Sequence, residues 1–280
     1  MPLVQIQCPN DPHVSETVPS QSKHIKRLFG EAIAASTFNL LISSRLRGYL
    51  AFMELLAKTL IGICFQLGFF AALTLLPIGT TDWPAAVLWL QIYAGLVFVS
   101  AGYLLVTRPA ALEARMRAGK NAQAPADRLA LGLMSLALLA PFALAARDVF
   151  VWQLLPAPSP LFQAVGMTVF IIGFFIVLTS MLHNEYAAPT VHIQEAAGHR
   201  LADSGIYGYL RHPMYLGFLL FTSGTALWLG SVAATLFALV TLIATTVYRI
   251  GVEEAVLREE LPGYTDYVEK VKTRYLPFIY

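Results

Sequence analysis

Between His183 and Glu254 the chain gathers the side chains that could do chemistry. Arg211, His212 and Tyr215 stand where a polar loop gives way to an apolar run, and Arg249, Glu253 and Glu254 stand where the next apolar run ends. A guanidinium can hold a carboxylate through two parallel hydrogen bonds, and a carboxylate beside it can serve as a base or bind a cationic group. Ionisable groups set into hydrocarbon-compatible sequence are costly, so they mark a site by default. The histidines of this stretch, with Glu185 and Glu195, could suggest zinc. No H-E-x-x-H or comparable spacing accompanies them, so no metal site is expected.

Helices in a membrane must position these groups. With 280 residues, 57% hydrophobic and 13% charged, the chain is far more apolar than a soluble domain of its length. Apolar runs near 49–76, 84–106, 129–149, 160–182, 213–230 and 232–250 can each form a span, since ~20 apolar residues cross a ~30 Å hydrocarbon core. The expected fold is therefore all-α and polytopic, with about six transmembrane helices and short cytoplasmic helices at the C-terminal end. Pro213 has a fixed φ and no N–H, which suits it to the first position of the fifth span. A Gly230-Ser231 turn then forces the fifth and sixth spans into an antiparallel hairpin. Arg249 and Glu253, four apart, share a helix face with Glu254 beside them. The hairpin would bring both ends to one membrane surface, beneath a loop from Gln194 to Tyr207. Gly217 and Gly224, seven apart, would let a partner helix approach closely, either as generic packing or for a functional need.

The remaining regions divide by composition. Residues 1–22 hold four prolines and no charged region followed by an apolar core, so they read as a disordered tail and not a signal peptide. Residues 23–48 read as an interfacial amphipathic helix, 49–182 as N-terminal spans, and 183–280 as the functional region. Five Lys and Arg precede the first span, five lie from Arg108 to Arg128, two in the motif loop and five from Arg249 onward. Arg147 is the single exception in the alternate loops, which puts both termini and the motif loop on the cytoplasmic side. The expected membrane is the inner membrane if the source is bacterial and the endoplasmic reticulum if it is eukaryotic. The formal charge of +2 and the lack of a basic run interleaved with aromatics argue against nucleic acid. Cys8 and Cys64 lie in different environments and form no framework.

Gln194, H-R-L at 199–201, S-G-I-Y at 204–207, R-H-P-M-Y-L-G at 211–217, E-E at 253–254 and P-G-Y-x-x-Y at 262–267 occur in order between spans. Together they resemble the C-terminal half of the isoprenylcysteine carboxyl methyltransferase family and its phospholipid methyltransferase relatives. The resemblance covers roughly residues 183–280. It implies S-adenosylmethionine as methyl donor, held by Gln194, His199, Tyr207, His212, Tyr215 and Glu253 with backbone of Arg200, Leu201, Ala202, Pro213 and Met214. It also implies an acceptor-side role for Arg249, which would orient a substrate carboxylate. Were the acceptor an amine, Glu254 could act as base or cation partner.

A lipophilic acceptor entering from the bilayer, first of all a prenylcysteine-type carboxylate, is the expected partner beside membrane lipids. The loop between Gln194 and His199 looks shorter than the eukaryotic pattern, and Gly251-Val252 replaces a charge run. The alternatives are N-methylation of a phospholipid headgroup and a non-catalytic transporter or scaffold. Arg249, Glu253 and Glu254 could also be an ordinary solvated ion pair where a helix leaves the bilayer.

Overall fold

The computed structural model describes residues 18–110, 112–113, 125–184 and 201–277. Helices dominate: α1 (Val18–Leu75), α2 (Pro84–Thr107), α3 (Pro125–Arg147), α4 (Pro160–His183), α5 (Pro213–Trp228), α6 (Val232–Glu260) and the short α7 (Tyr264–Lys270). The chain divides into two units, Met1–Ala57 and Lys58–Tyr280. In the first, helix runs from Val18 onward; residues 1–17 of the expected tail lie outside the described residues.

Local sequence explains why these helices start where they do. Proline occupies the first turn of α2, α4 and α5, where its missing N–H costs nothing. Ser159 and Ser231 cap α4 and α6, each hydroxyl accepting the backbone N–H of the helix's third residue, Phe162 and Ala234. Among the described residues, five segments are long and apolar enough to cross a membrane: Arg45–Ile78, Pro84–Thr107, Arg128–Trp152, Pro160–His183 and Val232–Glu260.

Of the six expected spans, α5 is the one that falls short of that length. Pro213 and the Gly230-Ser231 turn bound it to 16 residues, which at 1.5 Å per residue is about 24 Å. Ten of those residues are buried, so α5 faces protein on most sides and is the centre of the second unit. It packs with α3, α4 and α6.

The contact between α4 and α5 is a backbone-to-backbone crossing. Gly166 and Gly173 of α4 meet Gly224 and Gly217 of α5. A Cβ on Gly173 would stand 2.3 Å from the Phe221 nitrogen, and one on Gly224 would stand 2.4 Å from the Phe170 nitrogen. Only small residues permit such an approach, and in lipid this close packing replaces the missing hydrophobic drive between helices. Gly173→Ala must push the helices apart; it is expected to cost about 2–3 kcal/mol and lower the thermal midpoint of the detergent-solubilised protein. An unchanged midpoint would refute the tight crossing.

Beside it lies an aromatic cluster of Phe70, Trp89, Tyr93, Phe142, Phe170 and Phe221, with Trp89 fully enclosed. At the far end of α6 from Glu254, Asp148 accepts hydrogen bonds from the Ser231 hydroxyl at 2.6 Å and the Leu154 N–H at 2.8 Å. This closes the end of the bundle opposite the ionisable cluster.

Candidate active site

Two helix ends and two connecting segments meet around Glu254. His212 immediately precedes α5, and its φ of −124° turns the polar loop into the helix whose first residue is Pro213. Tyr215 sits one turn in. On α6, Arg249 and Glu253, four apart, share a helix face, and Glu254 next along the chain turns toward Arg211 and His212. The last contributor is the extended segment 271–275, which follows α7.

The geometry is specific. Arg211 donates from Nε to Glu254 Oε1 at 2.8 Å, and His212 Nε2 lies 3.2 Å from the same oxygen. The other oxygen of Glu254 faces Arg274 at 3.5 Å and Arg258 at 3.8 Å. Tyr215 donates its hydroxyl proton to Glu253 Oε2 at 2.5 Å, while His212 Nδ1 lies 3.9 Å from that oxygen. The His212 and Tyr215 rings stack, with centroids 5.7 Å apart and planes 14° from parallel. Arg249 reaches the Tyr215 hydroxyl as well.

Burial separates the roles. Arg249 is 1% exposed and Glu254 4%, so these two are not part of a solvated pair at a helix exit. The Glu253 side chain is 24% exposed, against 6% for Glu254. Glu253 thus keeps an open face for a ligand, whereas Glu254 is surrounded by three guanidiniums and an imidazole. A buried carboxylate with this many donors is satisfied in place.

The loop at Leu201–Gly208 closes one side. Gly205 has φ +58°, and a Cβ there would fall 2.2 Å from the His183 ring, so glycine is required twice over. Tyr207 is buried, and its carbonyl accepts the Tyr267 hydroxyl at 2.7 Å. Leu201 packs on Leu261, Tyr264 and Tyr267. Burial pushes the phenols of Tyr264 and Tyr267 well above the usual tyrosine range, so both stay protonated.

Of the residues singled out from sequence, the structure brings together His212, Pro213, Tyr215, Arg249, Glu253 and Glu254, with Met214 in the first turn of α5. Leu201, Ala202 and Tyr207 lie on the adjoining loop. Gln194, His199 and Arg200 lie outside the described residues. Sequence reasoning missed Arg258, Arg274 and the carbonyls of 271–274, and it placed Arg211 at the site without its partner. The only local signal for Arg258 is its spacing of four from Glu254. Among the described residues, no cluster of three or more His, Cys, Asp or Glu could hold a metal ion.

The donor set fits the requirements of S-adenosylmethionine: an accessible carboxylate for an ammonium, imidazole and phenol donors, and an aromatic wall formed by His212 and Tyr215. Two comparisons with known proteins bear on the same region. Residues 161–262 match the family model described as phospholipid methyltransferase, a segment that begins with α4 and ends before α7. Over 74 residues, 26% of this chain, the sequence is 39% identical to the protein-S-isoprenylcysteine O-methyltransferase of Schizosaccharomyces pombe. That alignment spans 31% of the relative's length. The stretch from α4 to just past α6 is thus similar to phospholipid methyltransferases and, over a shorter length, to an isoprenylcysteine methyltransferase, in a chain with five helices long and apolar enough to cross a membrane among its described residues.

Proposed function

We propose that the protein is an S-adenosylmethionine-dependent membrane methyltransferase whose acceptor is a lipophilic carboxylate of the prenylcysteine type, methylated on oxygen. The observation that carries this reading is the pairing of a fully buried Arg249 with a half-open Glu253 across the Tyr215 hydroxyl. One group is suited to an anion and the other to a cation, a few ångströms apart at the end of a helix hairpin.

Bound S-adenosylmethionine would supply a methyl group already activated on a sulfonium, so neither a metal nor a covalent nucleophile is needed. Glu253 would hold the donor's ammonium, with Tyr215 fixing the carboxylate by its short hydrogen bond. Arg249 would grip the acceptor carboxylate and turn one oxygen toward the methyl, which is how positioning lowers a displacement barrier. That oxygen is already nucleophilic, so no base is required. Glu254, held by Arg211, Arg258 and Arg274, would keep His212 in place and move no proton. By the charge pattern of the loops, the site opens to the cytoplasm, where the donor is made.

Calorimetric titration of S-adenosylmethionine and S-adenosylhomocysteine into nanodisc-embedded protein tests the donor site. Saturable binding is expected, weakened about tenfold or more by Glu253→Ala and by His212→Ala. Folded, lipid-supplied protein that binds neither compound would end the methyltransferase reading.

A second reading, N-methylation of a phospholipid headgroup, is favoured by the description of the matching family model. An alkali-labile product ester would support the carboxylate acceptor, and a stable methylamine product would support the headgroup.

A further inference from the structure

The segment following α7 has no regular secondary structure, yet it is tied to the site at four points. Its Thr273 carbonyl accepts the Arg211 N–H at 3.0 Å, and its Arg274 carbonyl accepts the His212 N–H at 2.8 Å. The Arg211 guanidinium donates to the Val271 carbonyl at 2.7 Å and the Lys272 carbonyl at 3.3 Å. Both ends of the segment are anchored by burial. Val271 packs with Leu261, Tyr264 and Tyr267, and Tyr275 inserts among Met134, Tyr215, Leu219, Leu242 and Ile250 with no exposed surface. Three residues, Lys272 to Arg274, are therefore stretched between two apolar anchors, and the four carbonyls of 271–274 face Arg211 and His212.

His212 has no side-chain cap and stands just ahead of a proline, so its direction is not set by α5 itself. We propose that residues 271–275 are a positioning strap, with Tyr275 as its anchor, that fixes the Arg211-His212 dipeptide and so holds the His212 ring against Tyr215 and both carboxylates. Tyr275 is a positioning residue that acts through main-chain hydrogen bonds. The strap lies beyond the segment that matches the family model. For its ligand-binding readout, the proposal rests on the methyl-donor reading above.

Two variants of the full chain test it. Tyr275→Ala removes the anchor. Insertion of two glycines after Lys272 keeps both anchors while letting the carbonyls slip out of register with Arg211 and His212. In each, amide hydrogen exchange at Arg211 and His212 is expected to rise about tenfold or more, with exchange in the α4–α5 crossing unchanged. The Kd for S-adenosylmethionine should rise by about the same factor. Tyr275→Phe should restore both.

Should Tyr275→Ala not fold, the glycine insertion decides alone. Unchanged exchange at Arg211 and His212 in the insertion variant would overturn the strap. If wild-type protein binds no S-adenosylmethionine, the methyltransferase reading fails, while the exchange measurement still decides the strap.

Discussion

Arg249→Ala should leave S-adenosylmethionine binding of wild-type order while lowering kcat/KM for a prenylcysteine carboxylate by about 10²–10³-fold. The guanidinium is 1% exposed, so its charge sits where water screens little. Removing one partner of a desolvated, hydrogen-bonded charge pair costs about 3–5 kcal/mol, and each 1.4 kcal/mol is about a factor of ten. The loss falls on the acceptor because Glu253 and His212, the proposed donor contacts, remain. Arg249→Lys keeps the charge but loses the planar fork, so an intermediate rate is expected. Steady-state assays with a short-tailed prenylcysteine analogue, beside calorimetry of the donor, separate the two terms. Undiminished turnover in Arg249→Ala would remove this residue from the acceptor site.

The second large effect is on stability. Glu254→Ala leaves Arg211, itself 5% exposed, beside a deleted carboxylate, with Arg258 and Arg274 close by. An uncompensated buried guanidinium costs about 3–5 kcal/mol, which for a chain of this size is a fall of roughly 6–15 °C in thermal midpoint. Arg211→Ala should cost less, because Glu254 keeps two half-exposed guanidiniums and His212. A double variant lacking both groups should be more stable than the sum of the single losses predicts, since neither charge is left alone. Thermal scans followed by intrinsic tryptophan fluorescence would measure all three. Strict additivity would mean that the pair is not coupled.

Some of this was legible in the sequence for clear physical reasons. The R-H-P start of α5 and the two-residue turn before α6 are local instructions, so the meeting of Tyr215 with Glu253 could be anticipated from helix periodicity and a hairpin. Gly217 and Gly224 announced a close crossing, but their partners Gly166 and Gly173 could be identified only once α4 was known to lie against α5. The shortness of α5 was not legible, because an apolar stretch of transmembrane length does not reveal where its helix is cut. The Arg211–Glu254 pair joins residues 43 apart, and the strap reaches across 60; neither leaves a periodic trace. The alternation of charges likewise says which groups are near a surface without saying that Arg249 and Glu254 are withdrawn from water.

The brevity of α5 also bears on where the acceptor can wait. Set in a bilayer core of ~30 Å, a helix of about 24 Å could not bring both of its ends to the headgroup planes, and a recessed N-terminal end would leave the site below them. A carboxylate carried on an isoprenoid tail could then meet Arg249 without its tail ever leaving the leaflet. Extraction into water would cost ~0.8 kcal/mol for each methylene, so a tail of about ten such groups would forfeit ~8 kcal/mol. On the proposed reading the protein would be a wader and not a fisher: two-dimensional diffusion would deliver one reactant, the cytosol the other, and tail length would govern residence in the membrane more than recognition by the protein.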